Sequence, residues 1–468
     1  MTMHSMPMMR DARRVLGPFV MIAFAWTTTA CDRVKSQLLD PQQPGVIGPG
    51  AVNSPTGADA LVVGALQSLQ NATGGSVSMW SAGGTLTDEW MSGDTFFQTD
   101  DKDRRSVPAG SSSTSPWPQQ TRGYAIDAIK ALKQFEPSAT AKIAQMYFVE
   151  GWIEMDISEH FCNGSPFGTT VDGIPQYTKQ LTNAEAFAMA VAHFDTALSF
   201  VNGATDAFGI SVRNSILVAK ARTQRDLAQF SAAAATVAPV PTNFSWNLTF
   251  SVTTSDNGLY SMNAPTANPR YVVGDSFDVV NGVKTLLKNA LPFASAGDPR
   301  LPVVGKTEAT TPKAADGVTT LVYTSVWGLN RSAPVTLVNG IDARLIEAEA
   351  KLQANDIPGM MGILNALRAS PQQIGSLNVP VLPALATPAT RDGAIDLLFR
   401  EAAFWTFGRG QRLGNLRRLI RQYGRKQENV FPDGPFHKGG VHGTDVNFSI
   451  PDAEFTNPNY HGCIDRNA

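Results

Sequence analysis

The chain is short of charge: 17% of its 468 residues are charged, with 38 Lys and Arg against 40 Asp and Glu. That near-neutral balance excludes the basic footprint of a nucleic-acid-binding protein. Ser, Thr, Asn, Gly and Pro take up the difference, so long polar loops are expected. Cysteine is scarce, at three residues: Cys31, Cys162 and Cys463. Long apolar runs are missing as well. The run from Val15 to Trp26 is about a dozen residues, and a bilayer takes roughly 20 to span. No Gly-rich phosphate loop, no Gly-x-Ser-x-Gly elbow and no Cys/His pair with a supporting context is present, so nothing in the sequence points to nucleotide or acyl-transfer chemistry.

The N-terminus has its own pattern. Arg10, Arg13 and Arg14 form a basic stretch, Val15 to Trp26 an apolar core, and Thr27 to Ala30 a set of small residues directly before Cys31. Residues 1–30 therefore read as a signal peptide. Cys31 occupies the acylation position of a bacterial lipoprotein, with 31–55 as a tether. The alternative is ordinary secretion, with cleavage near Ala30 and Cys31 as a bystander. Acyl chains contribute about 0.8 kcal/mol per buried methylene, so several would hold the protein on a membrane surface without spanning it. Without the leader the chain has 35 basic and 39 acidic residues. If Cys31 is acylated, only Cys162 and Cys463 remain, and an oxidising compartment permits one bridge between them. Two separate buried thiols are the other possibility.

Beyond the tether the pattern is mainly helical. Ala58, Leu61, Val62, Ala65, Leu66 and Leu69 recur at helical spacing over 57–69, and a second helix is expected over 119–135. Helix pairs follow: 139–159 with 183–200, 212–226 with 227–237, and 341–353 with 357–368. Small residues such as Gly151, Ala219 and Ala348 lie where paired helices would cross. This pattern resembles tetratricopeptide repeats, whose paired helices stack because neither buries its apolar face alone. Two loop-rich insertions, about 74–117 and 241–334, interrupt one domain spanning 56–468. A single amphipathic helix is expected from Arg400 to Tyr423, with Leu413, Leu416, Leu419, Ile420 and Tyr423 on one face. Its arginines, Arg409, Arg412, Arg417, Arg418, Arg421 and Arg425, are then free to pair with neighbouring carboxylates or to face solvent.

The C-terminal end carries Gly410, Arg412, Asn415, Leu416, Arg417 and Arg418, then Ile450, Pro451, Glu454, Asn457 and Pro458. This block resembles the end of the SusD/RagB family, which has Gly-x-Arg-x-x-Asp-Leu-Arg-Arg followed by an Ile-Pro-x-x-Glu-x-x-x-Asn-Pro tail. Arg409 stands where that family usually has Glu, Asn415 where it has Asp, and the gap between Glu454 and Asn457 is one residue short, as in a divergent member. Leu337 to Leu352 resembles the family's returning scaffold helix, and Asp298 to Leu301 is similar to a segment just upstream of it. The resemblance implies a SusD-like α/α superhelix on an outer-membrane lipoprotein facing the cell exterior, without catalysis or cofactor. Such a protein would capture an oligosaccharide and deliver it to a TonB-dependent β-barrel transporter of the SusC-like type. Peptide or other nutrient capture, or a surface glycoside hydrolase, are the alternatives.

A sugar presents apolar C–H faces beside hydroxyls, so a glycan site needs an aromatic platform with amides or carboxylates nearby. Trp80, Asp88, Glu89, Trp90, Phe96, Phe97 and Trp117 supply that mix in loop sequence and are the candidate ligand-binding residues. Trp152 and Trp405 lie on helices and read as core. Hydrolysis needs two carboxyls across a cleft, which sequence neighbours such as Asp88 and Glu89 do not provide. Candidate metal ligands, Glu159 with His160, the set His437, His442 and Asp445, and the run Asp100, Asp101 and Asp103, match no defined spacing, and no metal is expected.

Overall fold

Helices begin where the chain supplies a cap. The computed structural model describes residues 53–468 apart from 110–113, 115–116, 172–173, 266–268, 281 and 305–311. The expected signal peptide, Cys31 and most of the expected tether lie outside the described residues. Helix α1, Pro55–Gly74, opens with proline in its first turn, and the Ser54 hydroxyl accepts from Gly57 N at 3.0 Å. The next elements are α2, Met79–Leu86, α3, Phe97–Asp103, and α4, Gln119–Phe135. The expected bounds of α4 are met at both ends. Trp80, expected in a loop, lies on α2, because Ser78 and Ser81 form a reciprocal cap that starts a helix despite Gly83 and Gly84.

The scaffold is the stack of helix pairs. Helix α5, Thr140–His160, packs on α6, Asn183–Val201, which begins with a Thr182–Glu185 capping box. They approach closely at Gly151, where a Cβ would lie 2.9 Å from Phe194. Among the described residues α6 is the helix long and apolar enough to cross a membrane, yet Phe187, Ala190, Phe194 and Ala197 pack it against its neighbours. Helices α7, Ala207–Asp226, and α8, Phe230–Val237, form the second pair. In the insertion between 241 and 334, a short helix α9, Gly258–Ser261, follows the strand Ser245–Leu248. That strand pairs antiparallel with Val335–Asn339, which returns the chain to the scaffold. The strand Trp90–Ser92 pairs with Tyr271–Val273, so the two insertions meet. Helices α10, Gly340–Gln353, and α11, Ile357–Arg368, are the third pair.

The single helix expected from Arg400 to Tyr423 is two. Helix α12, Arg391–Trp405, and α13, Arg412–Arg421, are separated by a turn in which Gly408 and Gly410 have φ of +71° and +68°. A Cβ on Gly410 would lie 2.1 Å from Cδ1 of Trp80, and one on Gly408 2.9 Å from Nε1 of Trp327. The two glycines thus break the helix and admit two indoles to the core. Asp88 and Glu89 fix the break from the other side. Asp88 takes Arg412 Nε and Nη2 at 2.6 and 2.8 Å, and Glu89 Oε1 accepts from Gly408 N at 3.0 Å.

The arginines of this region are mostly buried and paired. Arg409 meets Asp342, Arg418 meets Glu349, and Arg417 donates to the carbonyls of Ser158, Glu159 and Phe161, capping the C-terminus of α5. Asp298, Arg300, Glu401 and Arg368 form a further network at the familiar Asp-Pro-Arg-Leu segment. The tail then crosses the end of α5: Cys162 N donates to Phe448 O at 2.7 Å, and Phe448 N to His160 O at 2.9 Å. A disulfide joins Cys162 and Cys463, with Cα atoms 5.9 Å apart.

Candidate functional site

Where the two insertions meet, the surface opens into a cleft of about 810 Å³, a size typical of small-ligand sites. Ser76, Val252, Asp256, Tyr260, Met262, Arg270, Asn330, Arg331 and Ser332 line it. It adjoins a smaller hollow of about 240 Å³ that shares Ser76, Val252 and Asp256 and adds Asn71 and Thr253 to Ser255.

Local structure holds these groups in place. Helix α9, which carries Tyr260, starts at Asn257, whose side chain accepts from Tyr260 N and donates to Trp327 O and Ala333 O at 2.9 and 3.0 Å. The Asn257 amide donates to Arg331 O at 2.7 Å, tying the 330–332 loop to the same helix. A Cβ on Gly258 would lie 2.2 Å from the backbone of Gly75 and Ser76, so only glycine lets α9 approach that wall of the cleft. Met262 O accepts from Arg270 N and Tyr271 N, which fixes the opposite side. The Arg270 guanidinium pairs with Asp94 and stands 4.6 Å over the ring of Phe96. Arg331 Nε donates to Asp256 Oδ2 at 2.7 Å. The result is a phenol ring among hydroxyls, amides and two guanidiniums, the mix that sugar recognition requires.

Of the residues expected to touch ligand, Phe96 stands beside this cleft through Arg270 and is 56% exposed, and Phe97 is 65% exposed. Trp80 and Trp90 are 0% and 2% exposed, and Asp88 and Glu89 are also buried. These four have no face to offer a sugar in this structure, because the helix break between α12 and α13 consumes them. Trp117 is half-buried; its Nε1 donates to Glu454 Oε1 at 2.9 Å and its ring meets Phe161 edge-on. It pins the C-terminal tail. Trp246 packs edge-on against Phe148, and Trp152, Trp327 and Trp405 are core.

Burial shifts several of these acids. Glu89 is pushed up to about 8 by burial, against the lowering effects of the Gly408 amide and Arg412. Asp103 is pushed up to about 7 by burial, against the charge of His437.

The candidate metal ligands do not form a convincing centre. Glu159 is held by Arg222 Nε at 2.7 Å, and His160 Nδ1 donates to Asp156 O at 2.8 Å. His160 Nε2 faces Gly83, where a Cβ would lie 2.6 Å away; Asp156, Glu159 and His160 bring ligand atoms within 4.8 Å of one another, but both oxygens of Glu159 are bonded to Arg222. Glu150, Glu154 and His193 also converge, but Arg122 already occupies that group. His437 lies 3.3 Å from Asp278, while Asp445 pairs with Arg466 and His442 bonds to Gly434 O. Asp100 and Asp103 serve Lys438 and Ser92 N, and Asp101 serves Arg104.

The whole described architecture is matched by solved structures. A SusD-like carbohydrate binding protein from Bacteroides fragilis superposes with a TM-score of 0.60 at 13% identity, covering 88% of this chain and 99% of that one. A laminarin binding SusD-like protein gives 0.59 at 13% identity, with the same coverage. The chain has the SusD-like fold. Surface glycan-binding protein A from Bacteroides uniformis is similar too, with a TM-score of 0.58 at 12% identity over 88% of this chain and 99% of that one. No protein-family model matches the sequence, and no curated protein matches it.

Within this SusD-like fold the sequence reading missed Tyr260, Arg270, Asn330 and Arg331. All four lie in the 241–334 insertion, whose polar runs Asp256-Asn-Gly and Asn330-Arg-Ser carry the signal.

Proposed function

We propose that the protein is a divergent SusD/RagB-type binding protein that captures an oligosaccharide at the cell surface without catalysis. The observation that carries this reading is the polar cleft around Tyr260, set into a fold shared with proteins described as carbohydrate, laminarin and glycan binders. Among the described residues the cleft lining has one carboxylate, Asp256, already paired with Arg331. Glycoside hydrolysis uses two, which favours binding over turnover. The signal-peptide pattern and Cys31 support lipid anchoring on the outer membrane, and the resemblance supports a TonB-dependent β-barrel as the partner that receives the ligand.

Titration calorimetry of the protein without residues 1–30 against a panel of oligosaccharides, with product analysis after prolonged incubation, tests this. Binding without products is expected. Tyr260→Ala should weaken that binding by about tenfold, the loss of roughly 1.4 kcal/mol of stacking and hydrogen bonding, with the helical circular dichroism signal retained. Shortened products would replace capture by hydrolysis, and unchanged affinity in Tyr260→Ala would move the site elsewhere.

A further inference from the structure

The charged residues lining the cleft are Arg270, Arg331 and Asp256; Arg270 is paired with Asp94 and Arg331 with Asp256, so two guanidiniums meet two carboxylates. Neither guanidinium is fully used. Arg331 gives Nε to Asp256, and its side chain is 54% exposed; its two Nη groups have no hydrogen-bond partner among the described residues. Arg270 gives Nη1 to Asp94 while its plane stacks over Phe96, and its Nε and Nη2 have no partner among the described residues. Among the described residues each thus keeps two N–H-bearing nitrogens without a partner, and a guanidinium donates pairs of parallel bonds to an oxyanion.

Both stems are rooted before any ligand arrives. The Arg331 carbonyl accepts from Asn257 N at 2.7 Å, and the Arg270 backbone is held between Met262 O and Gly93 N at 2.8 and 2.9 Å. The stacking ring beneath Arg270 limits its rotamers further. A neutral sugar makes little use of two fixed, partly satisfied cations, since its hydroxyls are served as well by uncharged amides.

We propose that this cleft selects acidic oligosaccharides, in which a uronate carboxylate or a sulfate ester meets the free edges of Arg270 and Arg331. This rests on the reading of the cleft as a glycan site. The remaining lining groups, Tyr260, Asn330, Ser332 and Ser76, then serve the ring faces and hydroxyls.

The test compares oligogalacturonate with its carboxyl-reduced form, and a carrageenan oligosaccharide with its desulfated form, by titration calorimetry at two salt concentrations. At least one acidic probe should bind about tenfold more tightly than its neutral counterpart, because hydrogen bonds to charged groups are the stronger ones. The preferred probe separates carboxylate from sulfate. That preference should shrink at high salt and be lost in Arg331→Gln, whose melting temperature stays that of the parent. Equal affinity for acidic and neutral forms would overturn acidic selection while leaving glycan capture intact. An acidic preference that survives both Arg331→Gln and Arg270→Gln would overturn its assignment to this cleft. If no acidic or neutral glycan binds, capture and selection fall together.

Discussion

Arg409 places its guanidinium where no solvent reaches, and it donates four hydrogen bonds: two to Asp342, at 3.0 and 2.6 Å, and two to the carbonyls of Thr336 and Leu337. A buried cation of this kind is tolerated only while its counter-charge is present. Asp342 also closes the capping box of α10 by accepting from Asn339 N. Asp342→Ala is therefore expected to lower the unfolding free energy by about 3–5 kcal/mol, read from urea denaturation. A loss below about 1 kcal/mol would mean that the arginine finds other partners. The Arg residues of this region were legible as structural from the apolar face they share a helix with. Their depth was not, because the partners Asp342 and Glu349 lie on α10, some seventy residues away in the chain.

At the scale of elements, the long helices were legible because apolar residues recur every three to four positions and caps stand at their ends. The break between α12 and α13 was not, since charge and leucine spacing continue through it and only the identities of Gly408 and Gly410 mark it. Gly410→Ala tests that the break is an obligate feature. The new Cβ would collide with Trp80, and the residue would stay at a φ of +68°. A loss of about 3 kcal/mol or more is expected, from overpacking and left-handed strain together, with a change in the near-ultraviolet tryptophan signal. The tail is a second element, held by a disulfide as well as by Trp117 and the backbone bonds of Phe448. Cys162 and Cys463 are 301 positions apart, and chain entropy sets an upper figure of about 5–6 kcal/mol for closing such a loop. Cys463→Ser should lower the urea midpoint while leaving glycan affinity unchanged, because the cleft lies in the insertions and the tail lies on the end of α5. A matching loss of affinity would show that the tail supports the cleft.

For the whole molecule, the cleft escaped the sequence reading because its walls come from segments near 71–76, 252–262, 270 and 330–332, brought together only by the fold. The segment from Trp80 to Trp90, helical in its first half, is the molecule's interior, and buried acids lie in it and beyond it. Glu89 is raised from its ordinary value to about 8 and Asp103 to about 7, each chiefly by burial. A folded-state value above the unfolded one means that the native protein keeps a proton the unfolded chain has released. Between about pH 4.5 and pH 8 the contribution of Glu89 is therefore fully present at the acid end and is lost as pH rises through the folded value. His437, raised by the carboxylates of Asp278 and Asp103 against its own burial, acts in the same direction. Glu159 and Glu349, lowered because the charges of Arg222 and Arg418 outweigh burial, act oppositely, and only as pH falls below the usual carboxylate range. His442, lowered by burial, opposes Glu89 and His437 within the window, and with the carboxyls dominant stability should decline from pH 5 to pH 8. Glu89→Gln keeps an oxygen for Gly408 N and removes the titration. Its unfolding free energy, relative to the parent, should rise steadily across that window in urea denaturation at fixed salt. Parallel curves for the two proteins would show that Glu89 is ionised in the folded state and that another group must neutralise it.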